Sequence, residues 1–173
     1  MYYIDAAKDQ LTDLVGKLRD AASRTAGGQT VTVARPRAEV ERFWRDPENL
    51  SRVLGDIGDV SATSPADYEW TLLYGDEGVL TWQTMLVTEE DGLRFVDVAE
   101  DGAAREDGPE IGVYFADAPR GLGTEVTIRA AAPLPGFLAG AAAFKALYRA
   151  RALMQTGELP TLEHDPSTWA AAR

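Results

Sequence analysis

The stretch Tyr68–Asp97, YEWTLLYGDEGVLTWQTMLVTEEDGLRFVD, contains three strand patterns separated by two short polar turns. Within each pattern every second residue shares one face, which is typical of a strand with one buried side. Those residues are Tyr68, Trp70, Leu72 and Tyr74, then Leu80, Trp82, Thr84 and Leu86, then Leu93, Phe95 and Asp97. The turns are too short for a parallel crossover, so the stretch predicts an antiparallel meander.

The same pattern extends in both directions from this stretch. Towards the C-terminus it repeats at Ile111, Val113 and Phe115 and again at Val126, Ile128 and Ala130. Towards the N-terminus, Val31 and Val33 alternate with threonines, which predicts the first strand. Two short helices follow that strand: one begins at Pro36 and ends at Asp46-Pro47, and the other runs from about Asn49 to Gly55.

A long helix is predicted over Gly136–Thr156, because prolines break the last strand before it and Gly157 follows it. At 1.5 Å per residue it spans ~30 Å, the width of a small sheet. Its helical wheel places one apolar arc at Phe137, Gly140, Ala141, Phe144, Leu147, Tyr148 and Arg151. The predicted class is α+β, a curved antiparallel sheet of six to seven strands around a long C-terminal helix, with two short helices after the first strand.

Apolar residues at helical spacing between Ile4 and Ala22 predict an extra N-terminal amphipathic helix. The four acidic and four basic residues between Ile4 and Arg24 cancel, which favours packing on this domain, on a second copy or on a partner protein over contact with a membrane. The chain therefore divides into an N-terminal helix and hinge at 1–27, a main domain at 28–157 and a tail at 158–173.

Composition excludes several classes of function. The formal net charge of −11 disfavours binding to nucleic acid, and no apolar run is long enough for stable membrane insertion. The N-terminus lacks the apolar core of a signal peptide, so we expect a cytoplasmic protein. Without cysteine, and with His164 as the single histidine, we expect no metal site, no Ser-His-Asp catalysis and no cofactor.

Three segments resemble the START-like (SRPBCC) superfamily, and within it the bacterial polyketide cyclase/dehydrase group related to coenzyme-Q-binding proteins. They are VTVARPRAEVERFWRDPENLSRVLGDIGDV (Val31–Val60), GVYFADAPRGLGTEVTIRA (Gly112–Ala130) and FKALYRARALMQTGELPTLEHDPS (Phe144–Ser167). The resemblance implies a helix-grip fold with a cavity for lipids, sterols, quinones or polyketides, and it implies no shared catalytic motif. Unlike its relatives, the chain lacks a Gly- and Phe-rich insertion between Pro133 and Phe144, so the size of the cavity does not carry over.

The strand faces and the helical arc together predict a ligand site between sheet and helix. Aromatic rings supply stacking surface for a flat apolar ligand. The aromatic candidates are Trp70, Trp82, Phe95, Phe115, Phe144 and Tyr148. Asp97 and Arg151 are the charged candidates, because a charge facing an apolar cavity must be paired or reach solvent. Either they form a structural ion pair or a solvated rim, or they orient a polar group of the ligand, or with Tyr148 they transfer a proton on an enolisable carbonyl.

Three hypotheses of function remain open on the sequence alone. The leading one is binding or carriage of a hydrophobic small molecule without catalysis. The second is an aromatase/cyclase-type enzyme acting on a poly-ketone, with Asp97, Tyr148 and Arg151 together inside the cavity. The third is a protein-interaction module that uses the N-terminal helix.

Overall fold

The computed structural model describes residues 28–74, 78–131 and 136–160. The predicted N-terminal helix and most of the predicted tail, including His164, lie outside the described residues. Within them the architecture is α+β, with seven strands, three α-helices and two short 3₁₀ turns.

The seven strands form one curled antiparallel sheet. They are β1 (Gln29–Val33), β2 (Gly58–Ala62), β3 (Asp67–Tyr74), β4 (Gly78–Thr88), β5 (Gly92–Asp97), β6 (Glu110–Asp117) and β7 (Thr124–Ala131). The spatial order is β1-β7-β6-β5-β4-β3-β2, so consecutive strands from β2 to β7 pair as neighbours and β1 adds to the far edge beside β7. The predicted antiparallel meander is confirmed.

The strand faces predicted from the alternating pattern are also confirmed. On β3 and β4, Trp70 lies opposite Trp82 in the register, and both side chains are buried. On β5 and β6, Phe95 lies opposite Ile111 on the same face. The turn before β7 depends on Gly123, whose φ of +118° is rarely adopted by other residues, and a Cβ there would lie 2.1 Å from the carbonyl oxygen of Val33.

Two short helices connect β1 to β2, as predicted. Helix α1 covers Arg37–Arg45 and α2 covers Pro47–Leu54. Asp46 separates them, because its extended backbone ends α1 while its carboxylate accepts a hydrogen bond from the Glu48 N–H at the start of α2. Ser51 Oγ accepts a hydrogen bond from the Val60 N–H at 2.9 Å, which ties α2 to β2.

The C-terminal helix α3 covers Gly136–Thr156, with the bounds predicted from the sequence. It ends before Gly157, whose φ of +76° is the left-handed conformation common after helix ends. Helix α3 packs against β1, β7 and α2. The core lies between these elements, and its largest fully buried side chains include Phe95, Leu93 and Leu147.

Candidate functional site

An apolar cavity of about 70 Å³ lies among α1, α2, the sheet and the buried face of α3. Its wall contains no carboxylate, amine, guanidinium, imidazole or hydroxyl group among the described residues. The lining residues are Trp44, Leu50, Val53, Leu54, Ile57, Trp70, Leu72, Phe95, Ile111, Val113, Ile128, Ala130, Ala142, Ala143 and Ala146. Such a wall can hold an uncharged apolar group and has no means to neutralise a buried charge.

The cavity exists because α3 presents small side chains to it. Ala142, Ala143 and Ala146 line the space, whereas Leu147 and Leu153 fill the helix–sheet contact elsewhere on the buried face. Alanine has only a methyl group beyond the backbone, so rings on the opposite wall have no large partner side chain to interdigitate with. A larger side chain at these alanine positions would occupy the space.

Close ring–ring contacts order Trp70 and Phe95, two aromatic residues of the wall. The ring centroid of Trp70 lies 5.2 Å from that of Phe95 with an interplanar angle of 82°, and 5.8 Å from that of Trp82. Tyr68 also contacts Phe95, with ring centroids 5.1 Å apart and an interplanar angle of 81°. These distances fall in the favourable range for aromatic pairs, which stabilises the rings in fixed positions.

Three tryptophans are buried among the described residues, and two of them donate their indole N–H to another side chain. Trp70 Nε1 donates to Thr84 Oγ1, and Trp82 Nε1 donates to Asp97 Oδ1, both at 2.9 Å. Trp44 differs: its side chain lines the cavity, and its Nε1 is buried without an acceptor among the described residues. It is the one buried side-chain nitrogen or oxygen atom of the described residues in that state.

Asp97 is buried but is not part of the cavity wall. Besides accepting from Trp82, its carboxylate pairs with Arg105 at 3.3 Å between Oδ2 and Nη1. Its backbone also anchors the acidic loop 99–108 between β5 and β6, because its N–H donates to the Pro109 carbonyl and its own carbonyl accepts from the Arg105 N–H. Asp97 therefore closes the base of this loop, and its ion pair is with Arg105 rather than with Arg151.

Arg149 on helix α3 forms hydrogen bonds with the C-terminal end of α2. Its Nη1 donates to the carbonyl oxygens of Val53 and Leu54 at 3.2 and 3.0 Å, groups that a helix leaves unpaired at its C-terminus. Asp56, in the turn after α2, pairs with both Arg149 and Lys145 at 3.5 Å. A backbone hydrogen bond, and then the charge of Lys145, lower the pKa of the Asp56 carboxyl below its ordinary value.

Two of the eight predicted ligand-binding residues line the cavity, namely Trp70 and Phe95. Trp82 and Phe115 are buried in the core, as the strand pattern predicted, but they are not among the lining residues. The sequence patterns that identified the strands therefore placed these rings on the correct face of the sheet without distinguishing cavity wall from packed core.

The predicted inward face of α3 is wrong at Phe144, Tyr148 and Arg151. Phe144 and Tyr148 are 58% and 52% exposed, and Arg151 is exposed with its Nε donating to Gln155. Leu147 of the predicted arc is buried, but the other buried residues of this helix are Ala143, Ala146, Ala150 and Leu153, which centre the buried face roughly a third of a turn away. An alanine-rich helix has two faces that can pack on a sheet, and the face of small residues allows the closer approach.

The orientation of α3 also bears on the three predicted catalytic residues, Asp97, Tyr148 and Arg151. Asp97 is buried in the sheet beside Arg105, whereas Tyr148 and Arg151 lie on the outer surface of α3. None of the three lines the cavity. The expectation that they come together inside it is therefore wrong.

Sequence reasoning missed Trp44 as a cavity residue and Arg149 as the link between helices. The sequence identifies Trp44 only as an apolar residue of a short helix, and a helix of this length gives no signal that separates core from cavity wall. The absence of acidic residues from Gly136–Thr156 was the available signal for Arg149, but its carbonyl partners are distant in the sequence. Within the described part of the chain, no three His, Cys, Asp or Glu side chains are arranged to hold a metal ion.

No helix in the described residues is both long and apolar enough to cross a membrane.

The chain resembles several solved structures. A crystal structure from Deinococcus radiodurans matches with a TM-score of 0.58 and 22% identity, over 76% of this chain and 98% of that one. A protein from Nitrosomonas europaea matches with a TM-score of 0.52 and 15% identity, over 76% of this chain and 94% of that one. A protein from Mycobacterium smegmatis matches with a TM-score of 0.51 and 18% identity, over 73% of this chain and 88% of that one.

These likenesses define the class of protein as an α+β domain with a curled antiparallel sheet and a C-terminal helix. At these identities they show the fold alone, and none of the three proteins carries a functional name. No family model matches the chain, and a search of curated proteins finds no match.

Proposed function

We propose that the chain is a helix-grip protein of the START-like (SRPBCC) superfamily that binds or carries an uncharged hydrophobic small molecule. The observation that carries this proposal is the apolar cavity among α2, α3 and the sheet, with Trp70 and Phe95 in its wall. A cavity usually costs stability, since its lining loses packing contacts, and a ligand would restore them. The order β1-β7-β6-β5-β4-β3-β2 with a long helix packed on β1 and β7 supports the helix-grip assignment.

The chemistry of the wall favours binding without catalysis. A cyclase or dehydratase needs an acid or base within reach of the reacting carbonyl. Among the described residues none lines the cavity, and Asp97 already has its hydrogen-bond and ion-pair partners elsewhere. The formal charge of −11 further favours a neutral ligand over an anionic one.

The volume of the cavity sets a condition on how the ligand enters. About 70 Å³ is roughly half of the ~150 Å³ cavity that holds one benzene, and well below the ~300–1,000 Å³ of pockets for drug-sized ligands. Binding a molecule with one or more rings therefore requires α3 to move away from α2 and the sheet. The hydrogen bonds from Arg149 to the carbonyl oxygens of Val53 and Leu54 are among the contacts that resist this movement.

A titration of the whole chain with a neutral naphthalene-type fluorophore tests the proposal. We expect saturable binding at one site, with blue-shifted emission, and displacement of the probe by an unlabelled alkylbenzene. The matched control is Phe144→Ala, which removes an exposed ring on the outer face of α3 and should leave binding unchanged. The proposal would be contradicted if the wild-type chain showed no saturable binding. It would also be contradicted if the wild-type chain bound the probe and the Phe144→Ala variant did not, since the probe would then bind to the outer face of α3.

A further inference from the structure

The outer side of α3 carries two aromatic rings that are mostly exposed. Phe144 and Tyr148 lie one turn apart and are 58% and 52% exposed. Arg151 follows about one turn later; it is exposed, and its Nε donates to Gln155. These four side chains form one line along the helix, which we call the outer stripe of α3. A single exposed apolar residue is ordinary on a surface, whereas a contiguous exposed patch indicates an interaction site.

The charge of α3 indicates what kind of partner fits the outer stripe. Gly136–Thr156 contains Lys145, Arg149 and Arg151 and no acidic residue. Lys145 and Arg149 both pair with Asp56, which leaves Arg151 as the cation of this helix without a carboxylate partner among the described residues. A segment that has both acidic and large apolar side chains therefore complements the stripe.

The predicted N-terminal helix and a second copy of α3 do not meet this condition. On a helical wheel the apolar face of the N-terminal helix is bordered by Lys8 and Arg19, so docking it on the stripe would place like charges beside Arg151. A second copy that paired through the same stripe would bring each Arg151 against a helix without acidic residues.

The chain that follows the described residues has the required composition. Residues 161–173, which we call the C-terminal segment, have the sequence TLEHDPSTWAAAR, with Glu163 and Asp165 first and Trp169 after them. We propose that the C-terminal segment folds back on the outer stripe of α3 in the same chain. Its carboxylates pair with Arg151, and its indole packs on the two exposed rings.

The starting point and the length of the C-terminal segment allow this contact. Four residues separate it from the end of α3, and the first of them, Gly157, has a φ of +76° that turns the chain off the helix axis. Arg151 and Phe144 lie ~8 and ~18 Å back along α3 from its last residue. Asp165 and Trp169 reach up to ~17 and ~30 Å from the last described residue in extended form. A segment that runs antiparallel to α3 therefore brings its acids to Arg151 and its indole to the rings beyond.

A spin label at a single introduced cysteine tests this contact, because the chain has no cysteine of its own. A label at Ala141→Cys, on the exposed side of α3 next to Phe144, should remove most of the intensity of the Trp169 indole N–H resonance in ¹⁵N-labelled full-length protein. The matched control is Val79→Cys, which is 66% exposed on β4, three strands away from β7. A label there should leave the Trp169 resonance unchanged.

Charge reversal with rescue tests the ion pairs. In the labelled Ala141→Cys protein, Arg151→Glu should restore the intensity of the Trp169 resonance. Adding Glu163→Lys and Asp165→Lys to this variant should remove the intensity again, since the pairs then form with the opposite signs. Because Arg151 is exposed, its replacement leaves the packed side of α3 intact.

Three outcomes would overturn the proposal. The first is no loss of intensity from the label at Ala141→Cys, or an equal loss from the label at Val79→Cys, because the segment then has no preferred site on α3. The second is a loss that Arg151→Glu does not change. The third is a loss in a mixture of spin-labelled chains and separate ¹⁵N-labelled chains, which would place the segment on a second copy. The proposed ligand function does not depend on these outcomes, since the outer stripe is not part of the cavity wall.

Discussion

Replacing Ala146 by leucine should stabilise the free protein, because the three added carbon atoms enter the cavity. Ala146 lies on α3, lines the space and is 8% exposed. At ~24 cal/mol per Å³, an empty volume of about 70 Å³ costs roughly 1.7 kcal/mol of packing. Burying the added carbons at ~0.8 kcal/mol each gives a similar total, so we expect a gain of about 1–2 kcal/mol.

The control is the same substitution one turn further along the helix. Ala150 lies on the same buried face, is 1% exposed and is not among the lining residues. Leucine there must displace packed neighbours, which costs ~1–3 kcal/mol. The two variants therefore have the same composition and opposite expected signs.

Urea unfolding at equilibrium, followed by circular dichroism, measures both changes in the free energy of unfolding. For a chain of this size a gain of ~1.5 kcal/mol corresponds to a rise of roughly 3–6 °C in Tm. If Ala146→Leu destabilises the protein as much as Ala150→Leu does, there is no space beside Ala146, and the assignment of the cavity is wrong.

Three further pairs of variants test the contact between α3 and α2, the acceptor of the Trp82 indole and the turn before β7. Arg149→Met should lower the free energy of unfolding by about 2 kcal/mol, because the carbonyls at the end of α2 lose a charged donor, whereas Arg151→Met on the outer face should change it by less than ~0.5 kcal/mol in the same urea titration. Asp97→Ala should lower the free energy of unfolding by ~1–3 kcal/mol, measured by thermal unfolding, because the buried indole N–H of Trp82 loses its acceptor. Asp97→Asn retains an acceptor oxygen and should lower it by less. Equal losses in the two variants would refute this role of Asp97. Gly123→Ala should lower the free energy of unfolding by more than ~2 kcal/mol in calorimetry, because the added Cβ would meet the Val33 carbonyl oxygen. Gly121→Ala places its Cβ in open space and should lower it by about 1 kcal/mol. The reverse order would contradict the geometry of the turn.

The sequence predicted those parts of the fold that depend on local patterns. Alternating residues such as Trp70 and Trp82 identified strands and their buried faces, because a strand has a period of two and one solvated side. Prolines before α3 and Gly157 after it predicted the bounds of the helix. Each of these signals arises from the residue itself or from its neighbours in the chain.

The orientation of α3 could not be predicted, because it depends on the shape of the sheet that receives it. Phe144 and Tyr148 formed an apolar arc as plausible as that of Ala143 and Ala146, and packing against β1 and β7 selected the small residues. The partner of Arg149 and the unpaired N–H of Trp44 are equally non-local, since they depend on which groups α2 and the cavity leave without partners.

Native mass spectrometry of gently purified protein, with solvent extraction of the same sample, tests most directly whether the cavity is a ligand site. We predict a mass increase corresponding to one small molecule, an apolar and uncharged compound in the extract, and loss of both in Ala146→Leu but not in Phe144→Ala. An unchanged protein mass, an extract without such a compound and no mass shift after incubation with acetophenone or ethylbenzene would contradict the proposed function. A bound compound that persists in Ala146→Leu would place the ligand elsewhere on the molecule.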